Sequence, residues 1–223
     1  MPRKVRIIVP DLPHHVIQRG NNHQDIFKDE DDRRYFLSNL KETIREQSVA
    51  VGAYCLMTNH IHVLLYPKTA DGFFVLIKSL FQKYTQYFNR KYQRSGKLWE
   101  NRYKIHLVDP DAEWVVARYI DRNPVRAKMV SRAQDYPYSS AAAHLAGKSN
   151  PLLTKDLIGN QRREYREFVY SDKADDQKHL AEIRQIIQQQ KILGKDSFIQ
   201  DMMNRFNIHF YVRKRGRPRK ERE

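Results

Sequence analysis

Apolar and polar residues alternate from His14 to Arg19 and stop at Gly20, Asn21 and Asn22, which predicts a short first strand ended by a turn. From Asp29 to about Gln47 the period changes: Phe36, Leu37, Leu40 and Ile44 recur at helical spacing behind an acidic start, predicting a helix. The apolar runs Val49 to Met57 and His60 to Tyr66 are separated only by Thr58 and Asn59, the pattern of a hairpin with a tight turn. A second helix, Gly72 to about Tyr92, rests on Phe73, Ile77, Leu80, Tyr84, Tyr87 and Phe88. Ser95 and Gly96 break it, and Leu98 to Val108 predicts a fourth strand through Trp99, Tyr103, Ile105 and Leu107. Asp109 and Pro110 then read as a helix start, with Asp111 and Glu113 placed favourably against the dipole. That helix should end near Asn123, because proline disfavours helical geometry in the residue before it and Pro124 follows.

The order β-α-β-β-α-β with a trailing helix predicts an α+β chain of the ferredoxin-like, or split βαβ, kind. Its antiparallel sheet should carry helices on one face and leave the other for a site. Beyond Pro151 the pattern becomes helical, with Tyr165 to Tyr170, then Ile183, Ile186 and Ile187 in a Gln- and charge-rich stretch from Asp175 to Lys191. Gly194 reads as a helix stop and Asp196 as the next cap. The expected division is a main domain over residues 1–145, a small helical domain over 151–212 and a disordered basic tail over 213–223. A helix-turn-helix and a packing appendage are both open readings of the second.

Charge narrows the partner. With 41 Lys and Arg against 26 Asp and Glu, the formal net charge is +15 and the pI about 9.9. Basic surface gains free energy by releasing counterions condensed on phosphates, so nucleic acid is the first candidate. A signal peptide, a lipidation motif and an apolar run near the ~18 residues of a membrane span are not found, which leads us to expect a cytoplasmic, nucleoid-associated protein. Cys55 is the one cysteine and lies in the apolar run Val49 to Met57, so a buried structural place is expected for it rather than a nucleophilic one.

The densest chemistry is Asn59-His60-Ile61-His62-Val63-Leu64-Leu65. Side chains alternate along a strand, so His60 and His62 share one face while Ile61, Val63 and Leu65 take the other. Two strand residues span roughly 6.6 Å, from which two imidazoles can converge on one divalent ion. The plainer reading is a pair of hydrogen-bonded histidines on a polar sheet face. Tyr119 and Asn123 stand four apart in the third helix, which offers a phenol and an amide oxygen on one side. Two neutral imidazoles and an oxygen would leave positions on Mg²⁺ or Mn²⁺ open for phosphate oxygens, and a phosphotyrosyl ester conserves bond energy for rejoining. With 13 tyrosines in the chain, packing is the ordinary role of any one of them.

Four blocks together carry a family resemblance: His15-Val16-Ile17-Gln18-Arg19-Gly20-Asn21-Asn22, Ala53 to His62, Leu98-Trp99-Glu100-Asn101-Arg102-Tyr103-Lys104, and Tyr119 to Ala127. Over about residues 5 to 145 the chain resembles the REP-associated tyrosine transposases, a branch of the HUH single-tyrosine transposases. The resemblance implies a metal-dependent endonuclease and strand transferase acting on single-stranded DNA hairpins of short palindromic repeats. It implies His60 and His62 as metal ligands, Asn123 as the third ligand, and Tyr119 as the nucleophile of a 5′-phosphotyrosyl intermediate. Thr58 stands where the family usually has proline.

Single strands are held by basic grooves with aromatic platforms, and Lys78 to Lys104 interleaves the two. Arg94, Lys97 and Arg102 flank a turn and strand near the expected site, and Arg19, Asn21 and Asn22 end the first strand. In the last eleven residues seven Lys or Arg stand against two Glu, and Arg215-Gly216-Arg217-Pro218 resembles an AT-hook core that would place Arg215 and Arg217 in the minor groove of A·T-rich duplex. A non-catalytic nucleic-acid-binding regulator on the same fold is the alternative to the enzyme, and monomer and homodimer both stay open.

Overall fold

A computed structural model of the chain describes residues 6–171 and 192–206. Four strands, β1 (His14–Arg19), β2 (Val49–Leu56), β3 (His60–Pro67) and β4 (Lys104–Leu107), form one antiparallel sheet in the order β2-β3-β1-β4. With α1 (Glu30–Glu46) between β1 and β2 and α2 (Ala70–Lys91) between β3 and β4, this is the ferredoxin-like order expected. The chain continues through α3 (Glu113–Asp121), α4 (Asn123–Arg126), α5 (Ala141–Ala146), α6 (Arg162–Tyr170) and α7 (Asp196–Phe206).

The first helix begins where the sequence places its acidic start, because Asp29 and Asp32 form a reciprocal capping box. Asp32 does more than cap: it is fully buried and also accepts from the Lys28 amide, the Tyr92 hydroxyl and the Lys91 ammonium at 2.8, 2.8 and 2.9 Å. The start of α1 is thereby tied to the end of α2. Both helices cover one sheet face, burying Phe36, Leu40, Phe73, Leu80 and Tyr84 against Val16, Ile61, Val63 and Leu65.

Two expectations need correcting. Helices do not stop at one face: Val116, Ala117 and Ile120 of α3, Leu145 of α5, and Tyr165 and Val169 of α6 pack on Ala53, Cys55, Leu64 and Tyr66 across the other. A bulge between Val51 and Ala53 accompanies this, with Gly52 so close to Leu157 and Tyr66 that a Cβ would sit 2.9 Å from each. The fourth strand is also shorter than its apolar pattern suggests. Residues 98–103 instead cross the end of β1, where the Glu100 amide donates to the Arg19 carbonyl at 3.0 Å and Asn21 to that of Leu98 at 2.8 Å. Gly20 permits the tight turn that follows β1, since a Cβ there would lie 2.3 Å from the Gln24 carbonyl oxygen. Beyond these elements, Ile192, Phe198 and Met202 pack on Val9 and Leu107 at the β4 edge. The helical pattern of Asp175 to Lys191 and the basic tail lie outside the described residues.

Asp121 anchors α3 from beneath. Its carboxylate is fully buried and accepts from Ser140 Oγ at 2.6 Å, His144 Nδ1 at 2.8 Å and the Tyr165 hydroxyl at 2.9 Å. Because His144 Nε2 also lies 3.0 Å from the Gly52 carbonyl, both ring nitrogens face acceptors and the imidazole is held as a cation. Burial alone would lower its pKa, but the Asp121 charge and hydrogen bond, with the Gly52 carbonyl, carry it above the ordinary value. Asp121→Ala leaves three buried donors without this acceptor and should cost about 3–5 kcal/mol in urea denaturation. A loss under about 1 kcal/mol would show that the hub is not an anchor.

Candidate active site

The site forms where β1 and β3 pair antiparallel, with Arg19 opposite His60 and Ile17 opposite His62. Alternation then sets His15 on the same face, and His15 in turn stands opposite His106 of β4. The His60 and His62 ring centres are 5.1 Å apart and nearly perpendicular; those of His62 and His15 are also 5.1 Å apart but stacked. Tyr119 of α3 meets this row edge-on, 5.6 Å from His62 and 6.0 Å from His15. Tyr119 is only 8% exposed, and it lines a cavity of about 320 Å³ together with Arg19, His60, His62, Glu100, Arg102 and Lys104 among others.

Hydrogen bonds decide how these rings are presented. His60 Nδ1 lies 2.7 Å from Asn59 Oδ1, an acceptor, so the proton sits on Nδ1 and Nε2 keeps its lone pair. His62 Nδ1 shares a 2.9 Å hydrogen bond with His15 Nε2. Burial, helped by the Arg19 charge, lowers the His60 pKa to about 4. His62 is pushed well below its ordinary value by burial and then by His60, His15, Arg126 and Arg19; His15 is lowered by burial and His106. All three are neutral at pH 7, the form that can donate a lone pair to a metal.

The other expected residues divide. Arg19 and Arg102 line the cavity. Asn123 is buried at the start of α4, not among the lining residues, and its Oδ1 accepts from Arg126 at 2.9 Å. Asn21 and Asn22 form a 3-10 turn beside the cavity rather than its wall, and the Asn22 backbone is left-handed at φ 50°. Arg94 lies across the Phe88 ring at 5.4 Å and Lys97 is exposed; neither lines the cavity, because the chain turns away at Gly96 before returning over β1. Arg215 and Arg217 lie outside the described residues. Three groups were not singled out from the sequence: His15 against His62, Arg126 over Tyr119, and Lys104 in the wall. Strand alternation from Arg19 back to His15 was the available signal for the first.

Two neutral imidazoles at one cavity fit a divalent ion as donors, with wall cations suited to the phosphate it would bind. Among the described residues no group of three His, Cys, Asp or Glu could hold a metal, so a further ligand drawn from these residues would be of another kind, such as an amide oxygen. No described helix is long and apolar enough to cross a membrane.

The fold is similar to that of a solved REP-associated tyrosine transposase bound to a REP hairpin. The two align with a TM-score of 0.52 over 70% of this chain and 93% of that one, and at 17% identity the likeness concerns the fold alone. Residues 8–123 match the family described as Transposase IS200 like, and the chain belongs to that family. It is also 31% identical over 119 residues to a Haemophilus influenzae protein provisionally named a REP-associated tyrosine transposase. That alignment takes in 47% of this chain and 66% of the relative, just under two thirds of its length.

Neutral buried histidines make the fold acid-sensitive. His14, lowered by burial to about 4, and His60 stay unprotonated in the folded chain while the unfolded chain takes up protons below about 6.5, so stability is lost as pH falls through that range. Each should contribute on the order of 1–2 kcal/mol of loss by pH 5. His144 has the opposite sign, its share being present below the unfolded value and lost as pH rises through its raised folded one. Chemical denaturation at pH 5, 7 and 9 should therefore give the greatest stability near pH 7; a chain most stable at pH 5 would contradict the neutral assignment.

Proposed function

We propose that the chain is a metal-dependent single-strand DNA endonuclease and strand transferase acting on hairpin-forming palindromic repeats, with Tyr119 as its nucleophile. The observation that carries this is the phenol of Tyr119 in ring contact with His62 at the wall of a cavity that also holds His60, Arg19 and Arg102. The relative's name and the hairpin in the solved neighbour support the substrate class.

His60 and His62 are the residues to hold Mg²⁺ or Mn²⁺, with Asn123 as the third ligand through the oxygen that also accepts from Arg126. When bound, the ion supplies Lewis acidity at the scissile phosphate. Arg19, Arg102 and Lys104 draw the phosphate into the cavity and offset its charge as it builds. The Tyr119 oxygen attacks phosphorus and loses its proton; the bond to the 3′ oxygen breaks, and that oxygen takes up a proton. The products are a 3′-hydroxyl and a 5′-phosphotyrosyl ester, and attack by another 3′-hydroxyl reverses the step and rejoins DNA. The basic tail is the proposed contact to duplex. The work is proposed to be done by a monomer or a homodimer in the cytoplasm, at the nucleoid.

Incubating the protein with an end-labelled hairpin oligonucleotide and Mn²⁺ should yield a covalent adduct that disappears in Tyr119→Phe. An undiminished adduct in the variant would exclude this nucleophile. Tight hairpin binding that is indifferent to divalent ions, with no cleavage, would identify a non-catalytic regulator instead. His62→Ala should weaken Mn²⁺ binding roughly 100-fold by direct titration of the DNA-free protein; unchanged affinity would remove His62 as a ligand.

A further inference from the structure

Tyr119 and Asn123 stand four residues apart, yet no continuous helix joins them. α3 ends at Asp121, Arg122 leaves ideal helical geometry at φ −84° and ψ −2°, and α4 begins at Asn123. Pro124 has no amide hydrogen, so the Ile120 carbonyl lacks its donor four residues on. A break at this point would let the end carrying the amide move against the end carrying the phenol.

One side chain spans it. Arg126 Nη2 donates to the Tyr119 main-chain oxygen and, at 2.9 Å, to Asn123 Oδ1, while its guanidinium carbon lies 4.4 Å from the centre of the Tyr119 ring. The donor fixes the amide: only Oδ1 can accept from a guanidinium, and Asn123 Nδ2 is left buried without a hydrogen-bond partner. We infer that Arg126 is a positioning residue of the transferase site, a staple that holds the nucleophile's ring and the Asn123 amide in one geometry across the break at Arg122. The inference rests on Tyr119 being the nucleophile. Arg126 lies just beyond the residues 8–123 of the family match.

Both hydrogen bonds leave one nitrogen, Nη2, while the guanidinium carbon lies over the ring. A lysine side chain ends one atom earlier and has no second group to keep over the ring, so lysine should not substitute. A merely electrostatic role would be rescued by it.

The test compares Arg126→Met and Arg126→Lys with the unaltered protein in two measurements. In the free protein, amide hydrogen exchange over residues 119–127 should quicken roughly tenfold in Arg126→Met while the sheet amides are unchanged. At saturating hairpin oligonucleotide and Mn²⁺, both variants should form the tyrosyl adduct roughly 10- to 100-fold more slowly, with the half-saturating hairpin concentration held within about twofold. Unchanged exchange in Arg126→Met overturns the staple. Faster exchange with an unchanged adduct rate, full activity in Arg126→Lys, or weaker hairpin binding at an unchanged rate overturns its positioning role. Should Arg126→Met not fold, Arg126→Lys is judged by the same two readings. If the unaltered protein forms no adduct, the functional reading fails instead, and exchange alone decides the staple.

Discussion

Val116, Ala117 and Ile120 are fully buried between α3 and the sheet, and that contact decides where Tyr119 stands. Burying such side chains is worth roughly 1–3 kcal/mol each, enough to hold a short helix that would not persist alone. Asp121 adds a polar anchor on the same helix through Ser140, His144 and Tyr165. Between the apolar contact and this hub, Tyr119 is left against His15 and His62. The segment that supplies the hub, residues 140–165, lies outside the family match, yet it fixes a helix inside it.

The site is a small polar field enclosed by that packing. Three imidazoles are kept neutral by burial, while cations sit at the cavity wall and over the phenol. Neutral rings can offer lone pairs, and the surrounding cations suit an anionic substrate. This division of labour explains why the imidazoles tolerate such close neighbours: protonating any of them would place like charges within a few ångströms in a poorly solvated space.

Most of the scaffold was legible because its apolar residues keep two clean periods. Strand alternation gave β1 at His14 to Arg19, and the Thr58-Asn59 turn gave the hairpin that carries His60 and His62. What was not legible depended on distant partners. Coverage of the second face comes from α3, α5 and α6, whose packing with Ala53, Cys55, Leu64 and Tyr66 no local pattern shows. The fourth strand was overdrawn because Trp99 and Leu98 are apolar for another reason, the crossing over β1. His15 is reached by strand alternation back from Arg19, but only the pairing of β1 with β3 sets it beside His62. The spacing of Tyr119 and Asn123 suggested one helical face, whereas the break before Pro124 buries the amide and hands its oxygen to Arg126.

We propose that one tyrosine of thirteen is placed for chemistry by the packing of α3. Trapping the protein on a hairpin oligonucleotide, digesting it and locating the nucleotide-bearing peptide by mass spectrometry tests this directly. The phosphodiester is expected on Tyr119 alone. A nucleotide on any other tyrosine, or on none while cleavage proceeds, would contradict it.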